Sequence, residues 1–116
     1  MTLDSYLLKT DDELYELLGA ELLGDGVSLS PEDKDEHRRF GRQWFGNKRR
    51  ELQRKICHHE KLKGLLGNST SDLAIDAAAI YETLQNLGED AVNAAVLAVL
   101  VARVGLGAFC ANAPAA

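Results

Sequence analysis

The chain has 116 residues, 46% of them hydrophobic, with 13 basic against 18 acidic side chains and a formal net charge of −5. That length fits one domain with a core of its own, and the acidic balance argues against general nucleic-acid binding. Cys57 and Cys110 lie far apart in sequence and form neither a disulfide framework nor a four-ligand zinc pattern, so a reducing, cytoplasmic setting is expected.

Helix formers dominate, the only prolines are Pro31 and Pro114, and no window combines strict apolar/polar alternation with β-branched residues. A single all-α domain over 1–116 follows, a compact bundle of four to five helices around an apolar C-terminal helix. The opening stretch MTLDSYLLKTDDELYELL is acidic where a signal peptide would be basic, and it is expected to belong to the mature protein. Residues 2–9 form a short lead with Leu3, Tyr6, Leu7 and Leu8 available for packing. Thr10-Asp11-Asp12-Glu13 then reads as a capping box that starts a helix over Asp11 to Leu23, with Leu14, Leu17, Leu18, Leu22 and Leu23 at helical spacing and Gly24-Asp25-Gly26 as a stop.

Ser30-Pro31-Glu32-Asp33 marks the next start: a serine cap, proline at the first helical position and acids in the first turn. The pattern runs on to Lys63, with a bend or break expected at Gly46-Asn47. Projected at 100° per residue, Gly41, Phe45, Leu52, Ile56 and His59 share one face, with Trp44 and Leu62 beside it. Arg39, Gln43, Arg50, Arg54, Cys57 and Lys61 share the opposite one. Ser69 to Asp72 offers caps for a helix ending near Leu87. Its seam is Leu73, Ala77, Ile80, Leu84 and Leu87, with Ala74 and Ala78 permitting close approach of a neighbour. Glu89-Asp90 opens the last helix, expected as one piece over Ala91 to Cys110 and as the second arm of an antiparallel hairpin.

That last segment carries a single charge, Arg103. Its stretch from Ala94 to Cys110 has 17 residues, the lower length limit for a membrane span, holds a central arginine and lacks basic or aromatic flanks on its N-terminal side, so a buried bundle helix is expected in place of a membrane one. So apolar a helix could also be covered partly by a second copy of the chain.

Charge is strongly segregated. Residues 1–36 hold two basic and eleven acidic residues (net −9), residues 37–63 ten and two (net +8), and residues 64–116 one and five (net −4). The basic block either faces a partner or is neutralised by the acidic ends. Cys57-His58-His59-Glu60 diverge around a helix and cannot close on one metal, and His37 is too distant to help. His59 is expected at the core edge, with Cys57 and His58 on the surface. Acid pairs at helix starts are explained by capping, and no nucleophile motif, phosphate loop or HExxH sequence is present. No enzyme, cofactor or metal is expected. The basic face of Arg39, Arg50, Arg54 and Lys61 is the candidate site, and a self-associating, adaptor-type protein-interaction module is the expected function. Nucleic-acid binding through the basic helix 37–63 is the alternative.

Overall fold

Thr10 and Glu13 close the expected capping box. The Thr10 amide donates to Glu13 Oε1 at 3.0 Å and the Glu13 amide to Thr10 Oγ1 at 3.1 Å, and these bonds, backbone first, hold the Glu13 carboxyl below its ordinary pKa. The computed structural model describes residues 3–23, 31–60, 62 and 72–113. A short helix, α1 (Leu3–Leu7), precedes the box, and α2 (Asp11–Leu23) follows it with Leu14, Leu18 and Gly19 buried. Both bounds of α2 match the sequence reading, because its start is written in side-chain hydrogen bonds between near neighbours.

The long central segment folds as α3 (Pro31–Asn47) and α4 (Arg49–Ile56). The interruption is one residue wide and falls at Lys48, one position beyond the expected Gly46-Asn47. Lys48 has φ −94° and ψ 3°, yet its amide still donates to the Trp44 carbonyl and its carbonyl still accepts from the Leu52 amide, both at 2.9 Å. The rod therefore bends without breaking. Continuity keeps Lys48, Arg49 and Arg50 away from a newly opened, positive helix end. Helix α4 stops at Ile56, short of the expected Lys63.

Helices α2 and α3 cross antiparallel through two glycines. A Cβ placed on Gly19 would lie 1.9 Å from the His37 carbonyl oxygen, and one on Gly41 would lie 2.1 Å from that of Tyr15 and 3.1 Å from the Gly19 amide nitrogen. Backbone thus meets backbone, closer than any side chain permits. Around this point Tyr15 stacks obliquely on Phe45, with ring centroids 6.3 Å apart. Burial raises the Tyr15 hydroxyl pKa, and Asp11 adds to that while Arg42 opposes it.

Helices α5 (Leu73–Asn86) and α6 (Ala91–Val104) form the expected hairpin. Asp72 caps the first, accepting from the Ala74 amide at 2.8 Å and the Ile75 amide at 3.3 Å, and Asp90 caps the second through the Asn93 amide at 3.3 Å. Gly88 turns the chain between them with φ +97°. The seam is shorter than the heptad spacing implied. Ala77, Ile80 and Leu84 are fully buried, but Leu73 and Leu87 at its ends are 41% and 47% exposed, and Ala74 and Ala78 face outward.

Every residue from Ala94 to Ala102 is buried, so α6 is the hub of the bundle and its own chain covers it. Among the described residues no helix is long and apolar enough to cross a membrane. The expected single helix over Ala91 to Cys110 is divided at Gly105, whose φ of +96° suits glycine. The chain then re-enters a short helix, α7 (Leu106–Cys110), that returns Phe109 to the core. On these grounds Leu84→Ala and Leu97→Ala are each expected to cost about 2–5 kcal/mol in urea unfolding, against a few tenths for the exposed Gln85→Ala.

Arg103, the one charge of the apolar segment, has a structural task. Its guanidinium donates to Asp11 Oδ1 at 2.7 Å, to the Leu7 carbonyl at 3.1 Å and to the Lys9 carbonyl. It satisfies carbonyls left open where α1 ends and ties that end to the start of α2. Arg103→Met is expected to lower stability by about 2–3 kcal/mol and to deprotect the amides of α1 in hydrogen exchange before those of α6.

Candidate interaction face

The cations of the central rod divide into two sets. One set is used within the chain. Arg42 pairs with Asp12 at 2.9 Å and lies 5.4 Å over the Tyr15 ring, while Arg38 meets Glu16 at 3.7 Å and also binds Asp35. Lys55 reaches Glu89 at 3.2 Å, Lys48 reaches Glu51 at 3.3 Å, and Arg49 sits 5.1 Å over the Phe109 ring. The acidic N-terminal helix therefore neutralises part of the basic block, because Arg38 and Arg42, one turn apart, face α2 across the glycine crossing.

Arg39, Arg50 and Arg54 form the other set. All three are exposed and make no ion pair among the described residues. The nearly continuous rod brings them onto one face as the 100° projection implies, since Arg50 and Arg54 are a turn apart and Arg39 lies three turns before Arg50. Lys61, the fourth expected member, lies outside the described residues. Cys57, projected onto the same face, still donates its amide to the Gln53 carbonyl at 2.8 Å with helical backbone angles, but the chain covers that end of the face. Cys57 is 4% exposed and not a surface residue.

Cys57 is instead joined to Cys110 by a disulfide, with their Cα atoms 5.6 Å apart. The expectation of two unpaired cysteines is thus corrected: α7 folds back after Gly105 and carries Cys110 to the end of α4. Gln53, buried on α4, supports the same junction by donating to the Phe109 carbonyl at 2.7 Å. His58 and His59 are both half-buried, and His37 is buried at the α2–α3 crossing. Among the described residues no three His, Cys, Asp or Glu side chains converge on a metal-sized site.

The face extends further toward the rod's start than its basic residues imply. Glu32, assigned by sequence only to the start of a helix, and Glu36, given no role there, are exposed on the same stripe, two turns and one turn before Arg39. Gln43 and Asn47 lie exposed between Arg39 and Arg50. The stripe therefore reads Glu32, Glu36, Arg39, Gln43, Asn47, Arg50, Arg54, acidic at one end and basic at the other. Carrying the projection back to Pro31 finds it. A shallow surface groove of about 400 Å³ opens beside its first half, lined by Glu36, Arg39, Phe40, Arg42 and Gln43.

Compared with protein-family models, curated proteins and solved structures, the chain has no match.

Proposed function

We propose that the protein is a non-enzymatic interaction or assembly module that self-associates through the charged outer face of α3 and α4. The observation that carries this reading is the division of cations. Arg38 and Arg42 are matched by the chain's own acids, whereas Arg39, Arg50 and Arg54 are exposed and make no ion pair among the described residues. Such groups select a complementary surface and speed its approach. The apolar α6 supplies no support for association, since its own chain covers it. Nucleic acid is the weaker reading: the same arginines could follow phosphates, but Glu32 and Glu36 on the stripe would repel them.

The cytoplasmic setting rested on unpaired cysteines. The pair now favours an oxidising compartment, where such a bond persists.

Two charge-reversal variants test the proposal. Arg39→Glu/Arg50→Glu/Arg54→Glu is expected to keep the wild-type melting curve and lose association. Arg38→Glu/Arg42→Glu is expected to keep association and lose about 1–2 kcal/mol of stability, as like charges oppose α2. Salt-sensitive duplex DNA binding at submicromolar affinity, abolished by the triple variant, would replace this reading with the nucleic-acid one.

A further inference from the structure

We propose that the partner of the α3–α4 stripe is a second copy of this chain, laid antiparallel across the first with the two Gln43 side chains at the twofold axis. The proposal rests on the self-associating reading and gives it a register. A twofold interface is isologous: if residue i meets residue j, then j meets i. The stripe obeys that rule when it is turned end for end about Gln43. Glu32 then faces Arg54, Glu36 faces Arg50, and Arg39 faces Asn47, each pair occurring twice. All these side chains are exposed, and the five charged ones make no ion pair among the described residues.

The alternatives are worse on charge alone. Parallel pairing sets Arg50 against Arg50 and Glu36 against Glu36. Moving the axis one turn toward α4 sets Arg39 against Arg54, and one turn toward the start of α3 leaves Glu32 and Glu36 facing the neutral Asn47 and Gln43. Opposite charges and a central polar pair are the features that fix register and orientation between helices. The hydrogen bonds that pass through Lys48 keep the two ends on one rod.

Two kinds of variant test the arrangement. Glu32→Arg/Glu36→Arg and Arg50→Glu/Arg54→Glu should each associate at least roughly tenfold more weakly than wild type at low salt, and an equimolar mixture of the two should recover a 1:1 dimer. In an otherwise unchanged chain, Gln43→Cys should cross-link to its twin on mild oxidation. Arg54→Cys, about 33 Å from its twin across the axis, should not. A dimer whose mass survives both reversals, with Gln43→Cys unlinked, would overturn this register and leave self-association standing. A wild-type chain that is monomeric at every concentration would overturn both.

Discussion

Gly41→Ala is expected to destabilise the protein by at least about 3 kcal/mol, and Gly19→Ala by a similar amount. The new methyl carbon would sit 2.1 Å from the Tyr15 carbonyl oxygen in the first case and 1.9 Å from that of His37 in the second. Both obstacles are backbone, so no rotamer change relieves them and the helices must separate by more than 1 Å to restore ordinary contact. Separation loosens everything arranged around the crossing: the buried Leu14 and Leu18, the Tyr15–Phe45 ring contact, and the Arg42–Asp12 and Arg38–Glu16 pairs. Gly46→Ala is the control. Among the described residues nothing lies within 4 Å of a Cβ placed there, and its φ is not positive, so alanine's better helix propensity should stabilise the protein by up to about 1 kcal/mol. Urea unfolding of the three variants decides the matter, and equal midpoints would contradict the close crossing.

Removing the disulfide comes next in size. Cys57 and Cys110 are 53 positions apart, and restraining so long a loop in the unfolded chain is worth about 4 kcal/mol on the chain-entropy estimate. The Cys57→Ser/Cys110→Ser variant is expected to lose about that much. The loss should be concentrated in α7, which would then be held to α4 by the Gln53–Phe109 hydrogen bond and the Arg49 contact, and to α3 by the Phe45–Phe109 stacking. Denaturant midpoints of the variant and the oxidised wild type, with hydrogen exchange at Leu106–Cys110, measure both the size and the place. A loss below about 1 kcal/mol would mean that the bond restrains nothing the other contacts do not already hold.

The helices were legible wherever their ends are chemical and local. Thr10 with Glu13, Asp72 and Asp90 each announce a start through a side chain that reaches an amide two or three residues on, and such signals need no knowledge of the tertiary fold. The arginines of the candidate face were legible for a related reason: helical geometry survives Lys48, so a simple projection keeps Arg39, Arg50 and Arg54 together. Features that depend on a distant segment were not. Gly105 reads as one more small residue in an apolar run until Cys110 is seen to meet Cys57. Gly19 and Gly41 are visible in the sequence, but the backbone each one admits is not. Arg103 read only as an argument against a membrane span, because the groups it binds lie at Leu7, Lys9 and Asp11, more than 90 positions away. Glu32 was overlooked as part of the stripe because an acid at a helix start already has an explanation, and Glu36 because it falls in the acidic block that precedes the basic one.

The central functional claim is that the exposed charges of the α3–α4 stripe meet a second copy of the chain, and the mass of the wild-type protein against salt tests it most directly. Light scattering at one fixed protein concentration should give the mass of a dimer at low ionic strength, falling toward the monomer as salt is raised past about 0.15 M, where the Debye length drops to about 8 Å. A monomer mass at low salt over the whole accessible concentration range would contradict the account, as would a dimer mass that high salt leaves unchanged.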